Sequence, residues 1–578
     1  MMEKAQMKHL IDIAAGRVPA DLVIKGCQVV DVLNGSVARF DVALAAGLIA
    51  GIGEYHGVVE LEANGAYLIP GLIDSHVHIE SSLVSPMEFA RLVMPHGTTT
   101  VIADSHEIGN VCGIDGLDYM IEASQQIPLS VFHMLPSCVP ATTYEHSGAI
   151  LTAETLKSRI DHPRVLGLGE MMDFVGATSA SDPILDKLMV AQGAGKLVDG
   201  HAPCVSGKAL SAYAASGIRT DHECATVEEL QDRIRNGMYV LLREGSACHD
   251  LRNLLPGVTA ANSRRCVFCT DDRQPKSILD EGHIDNHLRI AVSEGIDALT
   301  AIRMATLNAA ECFRLYDRGA IAPGYRADLV LVDNLQDFSV LKVFSEGRLV
   351  AEHGVFLHTG SQAIPESVKG RMHVADFSLE RLALRVVGPE VRVIDILEGS
   401  VVTGNGRAEI KPGPDGFFQA DTSQDIIKIA VVERHHGTGK VGLGLLRGYG
   451  IKGGAVATTI AHDSHNIIVC GDNDFDMIAA VQELISIGGG ITLVKDGKPL
   501  ASLALPIAGL MADLSGAQVE ERLQQLHAIA REDLHIHQGL DPFMTLSFMA
   551  LPVIPALKVT DMGLFDVERF EFVPLETS

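Results

Sequence analysis

Six residues in the first half of the chain have types and positions suited to holding divalent cations: His76, His78, Glu170, His201, His222 and Asp271. Each stands at the end of a short apolar run. His76 and His78 close AYLIPGLIDSHVH, Glu170 closes RVLGLGEMMDF, His201 closes KLVDGHAP, His222 closes GIRTDHEC and Asp271 closes RRCVFCTDD. In a strand, residues i and i+2 face the same side, so His76 and His78 project together. Imidazoles and carboxylates suit Zn, Mn and Fe alike. Two dications offset by Glu170, Asp271 and a bridging hydroxide keep a residual positive charge, which polarises a substrate and lowers the pKa of bound water. Without metal the same groups would be a buried cluster in need of other partners. Singly, each signal is weak: an HxH pair arises easily by chance in a chain with 24 His, and an acid after a strand is commonly a helix N-cap. The ordered set of six points to a binuclear site.

Eight such runs are present; GTTTVIADSHE, PLSVFHMLPSC and MYVLLREGS complete the set. Amphipathic segments such as PMEFARLVMPH and TVEELQDRIRNG lie between them. The alternation predicts an α/β protein with a (β/α)8 TIM-like barrel over residues 69–320, whose chemistry belongs at the C-terminal strand ends. Residues 1–68 read as an N-terminal helix and the first part of a small β domain, and residues 321–370 as its second part. Two such pieces flanking one block predict a small β-sandwich-like domain built from both. Residues 371–578 alternate strands and helices as a C-terminal α+β domain.

Composition narrows the function. The 578 residues carry a formal charge of −27, which disfavours phosphate backbones and anionic lipid, so neither nucleic acid nor membrane is an expected partner. No apolar stretch reaches about 18 residues, and the start of the chain has no signal-like apolar segment. The ten Cys lack regular spacing and read as reduced thiols in a cytoplasmic protein. Cys266 and Cys269 form a CxxC inside an apolar run, where a buried strand is expected rather than a redox motif. Gly488, Gly489 and Gly490 follow a helix and precede a strand, the wrong order for cradling phosphate.

The phrase PGLIDSHVHIESS, with a β segment before it and Asp271 on the last run, resembles the amidohydrolase superfamily over roughly Asp21 to Phe356. DSHVHIESS, GLGEMMDF, DGHAP, TDHE and CTDDR, together with the C-terminal domain, resemble the adenine deaminase family over nearly the whole chain. That resemblance implies hydrolysis of adenine to hypoxanthine and ammonia through a metal-bridging hydroxide, in purine salvage, with Mn(2+) or Fe(2+) as the two metal ions. Many binuclear superfamily members bridge their metals with a carboxylated lysine; run four has no Lys, and Glu170 stands in the matching place. This argues against lysine-type dihydroorotases and hydantoinases. The alternative is a binuclear amidohydrolase acting on a cyclic amide or another aminopurine.

In that reading Asp271 is both ligand and base, accepting a proton and passing it to the departing amine. Glu223 is the first candidate for the acid at ring N1 and Asp272 the second; orienting a histidine is the competing role for Glu223. Asp104, His106 and Glu107 after run two are candidate contacts to the purine edge, with helix capping as the plainer role. Arg273 is expected to pair with Asp272. With no Trp, stacking on the purine falls to Phe, Tyr or His. His435, His436, His462, Asp463 and His465 form a second polar cluster that either closes the pocket or holds the domain interface. His535 and His537 look like a solvated helix end. The expected partner is a small purine base, and the expected assembly a homodimer.

Overall fold

The computed structural model describes residues 3–577 apart from 361 and 414. Eight parallel strands form the barrel: β1 Leu72–Val77, β2 Thr98–Asp104, β3 Ser130–Leu135, β4 Val165–Met171, β5 Leu197–Gly200, β6 Thr220–Asp221, β7 Tyr239–Arg243 and β8 Cys266–Cys269. Every residue of β1, β2, β3 and β8 is buried. Strands covered on both faces can be continuous apolar runs rather than alternating ones. β1 to β5 pair in sequence, as do β6 to β8. The Arg219 N–H donates to the Val198 carbonyl at 3.1 Å and joins the two groups, and a parallel bridge between Val77 and Asp271 closes the circle.

The segments flanking the barrel meet in one nine-stranded sheet. Strand Tyr67–Pro70, which leads straight into β1, pairs antiparallel with Leu329–Val332. Apolar side chains of both segments, among them Ile24, Val42, Leu68, Leu329 and Phe344, share one core, so the sandwich-like packing comes from a continuous sheet. Helix Lys4–Ala14 lies against it through Ile13.

The C-terminal domain centres on an eight-stranded sheet. Helix Asp474–Ile487 packs on it through Met477, Ala480, Val481 and Leu484, and Asn473 caps its first turn by accepting from Asp476 N–H. The domain is continuous with the barrel core: Leu83, Val84 and Leu92 cluster with Leu510, Ala512, Val519 and Leu523. The Ala512 N–H donates to the Leu83 carbonyl at 2.8 Å. That contact lies just beyond His78, and it brings the C-terminal domain over the barrel mouth. Among the described residues, no helix is long and apolar enough to cross a membrane.

Candidate active site

The six predicted ligands converge at the C-terminal end of the barrel strands. Glu170 lies at their centre, and its two oxygens face different histidine pairs. Oε1 is 3.4 Å from His78 Nε2 and 4.0 Å from His76 Nε2. Oε2 is 2.7 Å from His201 Nδ1 and 3.3 Å from His222 Nε2. Asp271 completes the first group, with Oδ1 3.1 Å from His78 Nε2 and 3.8 Å from His76 Nε2. One carboxylate therefore spans two adjacent donor sets.

The hydrogen bonds on the far side of the rings fit His76 and His78 to hold a divalent cation. His76 Nδ1 faces an Asp199 oxygen at 2.9 Å, and His78 Nδ1 faces the Asp104 carbonyl at 2.9 Å. Both partners only accept, so both Nδ1 atoms carry protons and each ring, when neutral, offers its Nε2 lone pair inward. Those two Nε2 atoms face each other at 3.2 Å, an arrangement that calls for positive charge between them. Burial works against protonating His78, yet the Asp271 hydrogen bond and the Glu170 charge hold its pKa well above the ordinary value. His222 is likewise opposed by burial and driven up to about 10 by Glu170. The same negative field favours a bound dication.

The supporting shell is buried and specific. Asp199, 1 % exposed, also accepts from Gly200 N–H and the Thr220 hydroxyl, both on Oδ1. Asp104 accepts from the Glu170 N–H at 2.9 Å. Arg243 donates to Asp271 at 2.8 Å, to Asp250 at 3.1 Å and to Glu223. Burial pushes the Asp271 carboxyl up, but the His78 bond and Arg243 hold it well below the usual range. Asp271 sits at φ +59°, a left-handed conformation uncommon outside Gly. Two backbone bonds hold it there, Asp271 N–H to the His76 carbonyl and His78 N–H to the Asp271 carbonyl.

Beside the cluster lies a narrow chamber. The barrel lines it with Glu80, Glu107, Asp272 and Gln274, the C-terminal domain with His462, Ile491, Leu523, Phe543 and Phe548. The His462 ring stacks on Phe548 with centroids 4.6 Å apart, giving a flat aromatic pair at the wall. Burial and the neighbouring Asp271 charge raise the Asp272 pKa. Burial, helped by the neighbouring Glu107 charge, lifts Glu80 to about 7.

Of the residues expected on the purine edge, Glu107 lines the chamber. Asp104 instead points down to fix Glu170 and His78, and His106 Nδ1 lies 3.2 Å from Glu170 Oε1. Glu223, expected as the acid at ring N1, is ion-paired with Arg243, which with His201 outweighs burial and lowers its pKa. Arg273 does not pair with Asp272. It is buried and donates to the carbonyls of Gly282 and Glu244 and to Glu281, because neighbouring residues leaving a strand end diverge. His435 Nε2 donates to the Ser464 carbonyl and His436 Nε2 to the Ser147 carbonyl of the barrel. His537 pairs with Asp425 at the surface. Cys266 and Cys269 are free and buried in β8. Sequence reasoning passed over Asp199, Glu80 and Arg243. Asp199 stands two residues before His201, the spacing already used for the HxH pair; Glu80 and Arg243 had no such mark.

Comparison with known proteins follows the two parts of this architecture. Residues 67–350 match the amidohydrolase family, and residues 400–571 match the adenine deaminase C-terminal domain. The chain is 56% identical over 575 residues to adenine deaminase 2 of Desulfotalea psychrophila, covering 100% of both chains. It is 53% identical to an adenine deaminase of Nitratidesulfovibrio vulgaris strain DP4, covering 99% of each. It is 44% identical to that of Bacillus pumilus, again with 100% of both chains covered. Among solved structures, a β-aspartyl dipeptidase of Fervidobacterium islandicum is similar at 18% identity and a TM-score of 0.45, over 59% of this chain and 99% of that one. With both halves matched and relatives aligned from end to end, the chain belongs to the adenine deaminase family of amidohydrolases.

Proposed function

We propose that this protein hydrolyses adenine to hypoxanthine and ammonia, in cytoplasmic purine salvage, with two divalent cations, manganese or iron. The observation that carries the reading is Glu170, whose oxygens divide between the His76/His78 and His201/His222 pairs, in a chain similar over its full length to adenine deaminases. His76, His78 and Asp271 would hold one cation, His201 and His222 the other, with Glu170 between. When bound, the cations supply the Lewis acidity that makes water a nucleophile near neutral pH.

The residues then divide the proton work. Asp271, kept ionised by His78 and Arg243, accepts the proton that attacking water gives up as the C6–O bond forms. Asp272 lines the chamber and burial favours its neutral acid, so it suits the donor role at ring N1 better than Glu223. As the C6–N bond breaks, Asp271 returns its proton to the leaving amine, the remaining C6–OH proton passes back to Asp272 as the C6=O bond forms, and ammonia departs. The His462–Phe548 stack gives the flat base an aromatic wall.

The ten free cysteines suit a reducing compartment. Assembly as a homodimer is part of the proposal and is tested by light scattering. The activity is tested with manganese-loaded protein assayed for ammonia from adenine, beside ring opening of hydantoin and dihydroorotate. Consumption of a cyclic amide with no ammonia from adenine would overturn the assignment.

A further inference from the structure

Glu107 comes from the barrel, but what holds it comes from the C-terminal domain. The residue is 3 % exposed and reaches the chamber. Its Oε1 faces His462 Nδ1 at 2.9 Å, and its Oε2 is in contact with His465 Nε2. The fully buried His465 ring has a fixed tautomer: the Ala461 N–H donates to its Nδ1 at 3.3 Å, which leaves the proton on Nε2, facing Glu107. The loop carrying both histidines is itself braced. The buried Arg434 guanidinium donates to the carbonyls of His465, Ala508 and Arg371, and Asn466 donates to the His146 carbonyl of the barrel at 2.8 Å.

We propose that His462 and His465 are positioning residues that hold the Glu107 carboxylate toward the chamber as acceptor for the ring N–H of a free purine base. This rests on the adenine reading above. Each carboxylate oxygen has two lone pairs, so after one imidazole apiece Glu107 still has capacity for substrate. A free base offers an imidazole-ring N–H, which a purine substituted at N9 lacks. A buried site built to accept that hydrogen discriminates strongly against an analogue without it. The same three side chains have donor atoms for a third cation, but a cation on His465 Nε2 needs the ring proton at Nδ1, where the Ala461 N–H already points.

The tautomers set the test. A glutamine amide can take the place of a ring Nε2–H and an asparagine amide that of Nδ1–H. His465→Gln should therefore stay within about tenfold of wild-type kcat/KM for adenine, and His462→Asn, which also loses the ring from the chamber wall, should still exceed His462→Gln; His465→Asn and His462→Gln lose on the order of a hundredfold. In the latter pair the preference for adenine over 9-methyladenine should collapse, with metal content and thermal midpoint unchanged. Glu107→Gln should collapse the same preference and serves if the histidine variants fail to fold. Equal behaviour of Gln and Asn at either position would overturn the proposal. So would losses that track metal content, or a third metal equivalent in wild type that His465→Gln removes. Wild type that releases no ammonia from adenine would sink the function reading and this proposal together; active wild type with indifferent variants would sink the positioning alone.

Discussion

Replacing Asp199 by Asn tests whether the tautomer of His76 is built into the barrel. Asp199 offers Oδ1 to Gly200 N–H and to the Thr220 hydroxyl, and Oδ2 to His76 Nδ1 at 2.9 Å. In Asp199→Asn the two donors retain the amide oxygen on their side, so the NH2 group turns toward His76. The ring must then accept at Nδ1 and carry its proton on Nε2, the nitrogen aimed at the metal position. The native contact joins a carboxylate and a ring that are 1 % and 0 % exposed, and hydrogen bonds to charged groups contribute about 1.5–3 kcal/mol. At about 1.4 kcal/mol per factor of ten, manganese binding should weaken roughly ten- to hundredfold. Equilibrium dialysis with metal analysis reads the affinity, and the manganese-dependent rise in thermal midpoint reads it independently. An Asn variant that binds manganese as tightly as wild type, with the same kcat, would refute the reasoning.

Asp272→Asn should lower kcat about 10²–10⁴-fold with metal content unchanged, read by ammonia release on metal-analysed protein. Arg243→Met removes the cation shared by Glu223, Asp250 and Asp271; chemical unfolding should show a loss of about 3–5 kcal/mol, and Arg243→Lys should recover only part of it because one ammonium cannot match the guanidinium fork. His133 is buried, and that burial holds its pKa near 3. Its unfolded form takes up a proton below about 6.5, so native stability falls as pH drops from about 6.5 toward 3. His133→Leu should flatten that fall by about 2–3 kcal/mol by pH 4.5, read as the difference in stability across a pH series. Dialysis against a chelator should abolish ammonia release and added manganese restore it; activity that survives complete metal removal would exclude the binuclear site.

Much of the barrel was legible because its strands are covered on both faces. Such strands stand out as short continuous apolar runs, and the residues that follow them fall at one end of the barrel. The spacing rule that joined His76 to His78 could have been extended to Asp199, two before His201, but not to Glu80, which lies in a 3-10 turn, Ile79–Ser82, where strand alternation no longer applies. The chamber wall was not legible. Ile491, Leu523 and Phe543 have the character of any core residue, and only docking of the domain turns them toward the site. Glu107 and His462 are separated by 355 positions, and nothing local to either announces the other. Arg273 was misread because adjacency in sequence is not adjacency in space at a strand end.

The pairing of Tyr67–Pro70 with Leu329–Val332 also bears on how a ribosome must deliver this chain. The strand that feeds β1 emerges early, while its hydrogen-bonding neighbour is translated only after the entire barrel. Until then the nascent polypeptide displays an open sheet margin of the kind that recruits other chains, and closing so long a loop is slow. Transposing residues 321–370 to directly precede the first sheet segment, so that both halves are translated consecutively, should therefore lower aggregation in a cell-free translation reaction relative to the natural order.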